Sequence, residues 1–590
     1  MDDRGSHLNA LFQNEWISTD TRHNIQLQHD RQRRTTKQLL DKARSALQTL
    51  IPSEEDTATL SNYVSVWLSI LQELAPTTSL ASSHEEMFAS YSQMQEPNVD
   101  PFRLACWLLA LAITSQLFQV DAYTPRSLAQ TLQQRYNFAQ AVQRTVENHI
   151  MSHDSIVGTV PGLETAMMFL RLNLTRGVLQ KSWLGLRRII AIAELIGLPR
   201  VSRLVQFRTT RDTPTVDQTM MAKAQLWESI CTVERLAGTL MNFPIATRLY
   251  SISTKQPLVS NGKVHAATYW LMLSNIAIQI QDLDDLQASP GAESELYAKI
   301  LRLDSELRIL ASATPKSWWL TKTSAKIDAG GLIQFQHYCI TMRVHLPFAV
   351  RSDPSDQYAY SRLAGIEACE AVARFWCELR RLMPFGIFFS RPLDAQVFTA
   401  AVVLLLSSHS ARSKAISAPD RTGRSDVNTT ELLSQVMQLM EEKSKDAVGS
   451  DVAQQALTTL RSLSDLLEGD NGYLKYPDGL TVKVPLLGTI QIRRKSGNRA
   501  NDRGFHTTTA NAFPPSEVHS LHVAPLTQIP TGWESTTENP PTVQTTSTND
   551  VANEIENDMF SWIINNDNEA LFQENLMFED YDLLNQWQPS

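Results

Sequence analysis

Residues 100–119 read DPFRLACWLLALAITSQLFQ, and the fold class turns on how that run is read. Every side chain from Leu104 to Ile113 is apolar. The run is long for a strand and far short of the ~20 residues a bilayer span needs. Leu and Ala dominate where a sheet would favour β-branched residues. Asp100 suits an N-cap, and Pro101 suits the first turn, where its missing N–H costs nothing. The stretch therefore predicts a helix buried on all sides, which needs other helices around it.

Helical periodicity recurs on both sides of it. Helices are expected over 123–150, 161–198, 216–240, 263–287, 291–312, 329–352, 356–383 and 391–408, and over 429–468 after a polar loop at 408–428. Paired, strictly alternating strands do not occur between 53 and 407, so the region reads as all-α. The low glycine count, 22 in 590 residues, argues against a β-sandwich or a dinucleotide-binding sheet. An apolar content of 43% suffices for a large core. The exception is 473–494, which alternates around Pro477-Asp478-Gly479 and predicts a short β-hairpin.

Six segments follow from this reading. Residues 1–30 are polar and expected to be disordered. Residues 31–52 form a basic linker helix with Arg31, Arg33, Arg34, Lys37, Lys42 and Arg44; Leu40, Ala43, Leu47 and Leu50 give it a heptad and a half. Residues 53–470 are the all-α core. Residues 471–503 hold the hairpin and a basic patch, in which Arg493, Arg494, Lys495 and Arg499 are the nuclear-localisation candidates. Residues 504–550, rich in Thr, Pro, Ser and Asn, are expected to be a disordered linker. Residues 551–590 are an acidic tail.

Cysteines and apolar runs bound the compartment. Cys106, Cys231, Cys339, Cys369 and Cys377 are sparse and unpaired, which predicts buried reduced thiols rather than a disulfide framework. The N-terminus has no signal-peptide core, and Leu104–Ile113 and Phe398–Leu406 are the longest apolar runs. A soluble protein in a reducing compartment, with no membrane partner, is expected.

Charge is the first functional signal. After Arg503 there are thirteen acids and no Lys or Arg, so the preceding residues carry +4 of the net −9. Residues 551–587 read VANEIENDMFSWIINNDNEALFQENLMFEDYDLLNQW. Acids alternate with bulky apolar residues, the composition of an activation segment. Repulsion between the carboxylates keeps such side chains from collapsing together and leaves them free to dock in a coactivator groove. Trp562, Phe572, Phe578, Leu583 and Leu584 are the expected anchors. A C-terminal amphipathic helix packed on the core is the competing reading.

Two segments carry a resemblance. One runs from Ser182-Trp183-Leu184-Gly185-Leu186-Arg187-Arg188 to Gly197-Leu198-Pro199-Arg200. The other joins Leu226-Trp227, Val233-Glu234-Arg235-Leu236-Ala237 and Asn242-Phe243-Pro244-Ile245-Ala246. Together they resemble the middle homology region of fungal-specific transcription factors of the binuclear zinc-cluster class. His345-Leu346-Pro347-Phe348 and Phe398-Thr399-Ala400-Ala401 extend the resemblance over roughly 50–410. Glu228, Glu234 and Asn242-Phe243 depart from the family pattern. Trp183, Gly197, Leu226, Trp227, Arg235 and Pro244 are the family-motif residues expected in the core.

The resemblance implies a nuclear transcription regulator of a fungal pathway or secondary-metabolite gene cluster. Its partners would be coactivators or the general transcription machinery, promoter DNA, and a homodimer or a zinc-cluster partner. The family's zinc cluster takes six thiolates, because two zinc ions that share ligands each need four. No cysteine precedes Cys106 in this sequence, so the ligands for that zinc are not here. Either the cluster is lost or a first exon lies outside this sequence. A co-regulator that reaches DNA only through a partner is the first alternative.

Enzyme readings find little support. Asp282-Leu283-Asp284-Asp285 matches the protonating motif of class II terpene cyclases, which are also all-α and use a carboxylic acid held neutral. No repeated aromatic motif accompanies it, and a solvated helix end is the simpler reading. His84-Glu85-Glu86 lacks the second His of a zinc-protease helix. His337 and Cys339 are two apart and face different ways on a helix. His345 reads as a satisfied core histidine. No catalytic residue is expected.

Overall fold

The anticipated buried helix is present. It runs from Pro101 to Ser115, is capped by Asp100 Oδ1 accepting from Phe102 N at 2.8 Å, and is buried everywhere but Arg103. The computed structural model describes residues 25–75, 83–117, 126–209, 217–252, 256–320, 326–349, 356–383, 387–417, 425–445, 450–468, 480–486, 488–494 and 505–509. In chain order its helices are α1 (Ile25–Gln48), α2 (Glu54–Leu74), α3 (His84–Ala89), α4 (Tyr91–Met94), α5 (Pro101–Ser115), α6 (Arg126–Val146), α7 (Asp154–Val157), α8 (Val160–Thr175), α9 (Leu179–Leu195) and α10 (Leu198–Thr209). They continue as α11 (Gln218–Met241), α12 (Ala266–Ala277), α13 (Ile280–Ala288), α14 (Glu293–Ser312), α15 (Ala329–Ala349), α16 (Ala359–Leu382), α17 (Ser390–Ser417), α18 (Ser425–Lys443) and α19 (Asp451–Glu468).

The fold is all-α around one hydrophobic cluster that extends from Ala43 to Val484. α5 packs on α1, α2, α6 and α8; α11 joins that group to the rest through α8, α12, α15 and α17. The most extensive pairing is α15 with α16, where Gly365 lets the backbones close: a Cβ there would lie 2.9 Å from Ala349 Cβ.

Several boundaries differ from expectation, each for a local reason. The segment 161–198 is two helices, because Gly177 takes φ +82° after α8 and satisfies its C-terminal end. The segment 263–287 begins instead with β2 (Lys263–Val264), which pairs back on β1 (Val259–Ser260) across a turn of Asn261 at φ 50° and Gly262 at φ 74°, and then divides into α12 and α13. Residues 408–428 were expected as loop, yet α17 continues to Ser417. The segment 429–468 divides into α18 and α19, which pack on each other. Two C-terminal strands pair antiparallel, β3 (Leu480–Val484) with β4 (Gly488–Arg494), but they join after Val484 and not at Pro477-Asp478-Gly479, which precedes β3 and lies outside the described residues; β5 (Phe505–Thr509) adds a third antiparallel strand.

The heptad residues of α1 are used within the molecule. Ala43 and Leu47 are fully buried, and Leu40 and Leu50 pack against the same core. Arg44 Nε donates to Val99 O at 2.7 Å and Gln48 Nε2 to Glu96 O at 2.8 Å, fastening the helix beside α5. The Ser390–His409 part of α17 is long and apolar enough to cross a bilayer by composition, but 78% of it is buried inside the core.

Candidate functional site

The motif segments converge on one short backbone stretch. α11 starts at Asp217, whose Oδ1 accepts from Thr219 N at 3.2 Å, and stops at Asn242 in the left-handed conformation at φ 58°. Its last turns carry Glu234 and Arg235, both wholly buried. They close on the 3-10 turn Ala246–Leu249 that follows.

Glu234 accepts from Ala246 N at 2.6 Å, Thr247 N at 3.0 Å, Thr247 Oγ1 at 2.6 Å and Arg187 Nη1 at 2.8 Å. Arg235 donates to Asn275 Oδ1 at 2.6 Å, Thr247 O at 2.8 Å, Tyr250 O at 2.5 Å and Thr247 Oγ1 at 3.3 Å. One acid satisfies the turn's amides and one guanidinium satisfies its carbonyls. Burial pulls the Arg235 guanidinium below its usual range, while Cys231 and Glu234 act against that.

Aromatic rings surround the clamp. Trp227 meets Tyr250 edge-on at 5.1 Å, and Tyr250 donates to Glu194 Oε1 at 2.8 Å. Burial, then the bond to Glu194, push the Tyr250 phenol up to about 12. Trp183 packs on Phe243 at 4.8 Å. Gly197, at φ +81°, ends α9 in the residue type that tolerates that conformation. Leu226, Trp227, Gly197 and Arg235 are buried. Trp183 is only partly buried and Pro244 is exposed, which corrects their placement in the core; Pro244 takes part through its carbonyl, which accepts from Arg187 Nη1 at 3.2 Å. Sequence reading missed Thr247, Asn275 and Glu234 itself, which looked like a departure from the family pattern. The available signal was an adjacent Glu-Arg pair inside a stretch otherwise rich in apolar residues.

The acidic quartet is not a solvated helix end. Asp282, 26% exposed, is bracketed by Arg248 and Lys299, and Asp284, 32% exposed, meets Arg343 Nη2 at 2.8 Å. Arg343 also donates to Asn242 Oδ1 at 2.7 Å, so it ties α13 to the end of α11. Burial raises Asp284 and Arg343 opposes the rise. These carboxylates face cations rather than an aromatic-lined cavity.

A serine–histidine–aspartate string also occurs. Ser361 Oγ lies 2.7 Å from His345 Nδ1, and His345 Nε2 lies 3.2 Å from Asp304 Oδ1. Ser361 and His345 are fully buried, so no substrate carbonyl can approach the hydroxyl. Burial works against the Asp304 charge, but bonds from His345, Tyr360 and Arg308 hold its pKa well below the carboxylate range. His345 is the satisfied core histidine expected.

The five cysteines do not suit the family's zinc. They are buried on α5, α11, α15 and α16, and burial pushes Cys106 up to about 12 and Cys377 up to about 11. Among the described residues no group of three or more His, Cys, Asp or Glu is arranged to hold a metal ion. Of the basic patch, Arg493 and Arg494 lie on β4 opposite His506 and Phe505. Lys495, Arg499 and the anchors Trp562, Phe572, Phe578, Leu583 and Leu584 lie outside the described residues.

Known proteins with similar sequence name a function. "Transcription factor sdnS" of Sordaria araneosa is 26% identical over 418 residues, covering 66% of this chain and 52% of the relative. The chain is similar to fungal transcription regulators. A "Dehydrocurvularin biosynthesis regulator" of Alternaria cinerariae is 24% identical over 77% of this chain and 61% of its own length. "Transcription factor eupR" of a Phoma species is 26% identical over 48% of this chain and 58% of its own length. The chain thus spans about half the length of the curated relatives it matches. No protein-family model matches the sequence.

Proposed function

We propose that this chain regulates transcription of a fungal biosynthetic gene cluster, in the nucleus and without catalysing a reaction. The observation that carries the reading is the similarity to a named fungal transcription factor over 66% of the chain. The helical core is the regulatory part, and the Glu234–Arg235 clamp is its structural centre. Residues 551–590 activate by presenting Trp562, Phe572, Phe578, Leu583 and Leu584 to a coactivator or the general transcription machinery. Arg493, Arg494, Lys495 and Arg499 direct nuclear entry. Promoter DNA is reached directly or through a zinc-cluster partner or a homodimer.

The test is a reporter assay with residues 504–590 fused to an unrelated DNA-binding domain, beside the Trp562→Ala/Phe572→Ala/Phe578→Ala variant. Strong activation that the triple variant loses is expected. An inactive fusion would sink the activation reading and return the tail to a packing role.

A further inference from the structure

A chain of aromatic rings ends at both sides of one cleft. Trp318 meets Trp319 edge-on at 4.9 Å, Trp319 meets Tyr338 at 5.7 Å, and Tyr338 stacks on Phe375 at 5.4 Å. Tyr269 packs on Trp318 at 4.9 Å. Trp318 and Phe375, the two ends of that chain, line a cleft of about 60 Å³. It lies between the 3-10 turn Lys316–Trp318, the start of α15 and the last turns of α16.

The walls are fixed by their neighbours. Gln334 Nε2 donates to Trp318 O and holds the turn against α15. Two glycines border the cleft and leave no slack: a Cβ at Gly330 would lie 3.2 Å from Trp318 Nε1, and one at Gly331 would lie 3.2 Å from Leu379 Cδ2. Ring packing of this kind keeps Trp318 and Phe375 in place whether or not the cleft is filled.

The charges in the lining select a ligand. Asp328 is already used, since its Oδ1 caps α15 by accepting from Gly331 N at 2.7 Å. Glu378 is only partly exposed, yet among the described residues it makes no hydrogen bond or ion pair. Burial raises its carboxyl, and Arg381 and Arg374, on the same helix, oppose the rise from a distance. Lys326 also borders the cleft, but it is exposed and already engaged. A half-buried carboxylate without a partner, beside an indole and a phenyl ring, suits an organic cation. The rings take the place of water around the alkyl groups, and the carboxylate supplies the opposite charge. Size narrows the choice further. Sites for whole metabolites run to roughly 300–1,000 Å³, so this cleft admits a head group alone.

We infer that the cleft binds an alkylated ammonium head, with Glu378 as its counter-ion and Trp318 and Phe375 as its aromatic walls. Leu320, 68% exposed, adds an apolar edge for the attached alkyl chain. A bound head would tie the 3-10 turn to the start of α15 and the end of α16.

Choline chloride is the probe, titrated into the full chain and followed by saturation-transfer NMR of its methyl signal. Saturable binding with a Kd on the order of a millimolar is expected. Glu378→Gln should weaken it about tenfold at unchanged Tm, because that side chain holds no other group in place. Phe375→Leu should weaken it about fivefold. Dimethylbutanol, the uncharged carbon isostere of choline, should bind at least about tenfold more weakly than choline. Nα-acetyl-trimethyllysine amide separates the two sources of such a head: binding as tight as choline assigns it to a side chain, and exclusion assigns it to a free small cation. No saturable binding of either cation, equal binding by Glu378→Gln, or equal binding of dimethylbutanol overturns the proposal.

Discussion

Arg235 and Glu234, adjacent on α11, grip opposite polar groups of the same residue: Arg235 Nη2 donates to Thr247 O at 2.8 Å, and Glu234 Oε2 accepts from Thr247 N at 3.0 Å. Both side chains are fully buried. Removing either leaves a buried charge facing unmatched backbone groups. Glu234→Ala or Arg235→Met should cost about 3–5 kcal/mol of stability. Urea unfolding of each variant measures it, and a loss below about 1 kcal/mol would contradict the clamp. Arg235→Lys should rescue little, because one ammonium cannot span the forked set of acceptors.

Arg380 and Asp394 form a second buried pair, at 3.1 Å, with Trp376 Nε1 also donating to Asp394 at 2.9 Å. Asp394→Asn should destabilise by about 3–5 kcal/mol, whereas Arg380→Met/Asp394→Leu should recover most of that loss. A double-mutant cycle by chemical denaturation decides it. A double variant no better than the single would mean the pair is not the source of the loss.

His337 is buried against Tyr269, with Nδ1 2.9 Å from the hydroxyl, and burial lowers its pKa to about 4. A histidine unfolded near its ordinary value of about 6.5 binds a proton that the folded form refuses. Stability from this group is present above that value and is lost as pH falls towards about 4, by on the order of 3 kcal/mol. Asp394, raised by burial, contributes with the opposite sign. The difference between wild type and His337→Gln, followed by denaturation between pH 7 and 4, isolates the histidine; parallel curves would refute its share.

Gly365 lies where α15 and α16 touch. A helical Gly→Ala change ordinarily gains about 1 kcal/mol. Here the new Cβ would fall 2.9 Å from Ala349 Cβ and 3.3 Å from His345 Cβ. Gly365→Ala should therefore destabilise, by about 1–3 kcal/mol, which thermal melting would register as a lowered Tm. A raised Tm would show that the two helices can separate freely.

Asp284 is paired with Arg343 Nη2 at 2.8 Å. Asp284→Asn should lower stability by about 1 kcal/mol, since its side chain is 32% exposed and screened. Reporter activity of the full chain, tethered to DNA by a fused domain, should be unchanged. Activity lost without loss of folded protein would give the acid a direct role.

Much of the molecule was legible in the chain itself. The apolar run at 100–119 determined an all-α core, because no other element hides so many apolar side chains in sequence. Asp100-Pro101 marked where that helix starts, whereas the C-terminal hairpin turns after Val484 and not at the Pro477-Asp478-Gly479 that suggested it. The charge asymmetry about Arg503 is likewise a property of composition. Tertiary structure alone decided the rest. Periodicity reports which face of a helix is apolar but not where a helix breaks, so α8 and α9, and α18 and α19, read as single elements. The heptad stretch of α1 spans only a heptad and a half, and its Ala43 and Leu47 are buried in the core of the same molecule. Asp282 and Asp284 looked solvated because their cations, Arg248, Lys299 and Arg343, stand 17 to 59 residues away. Glu234 and Arg235 took their meaning only when the chain turned back on them. A charge in sequence carries no sign of its partner; folding brings the partner to it.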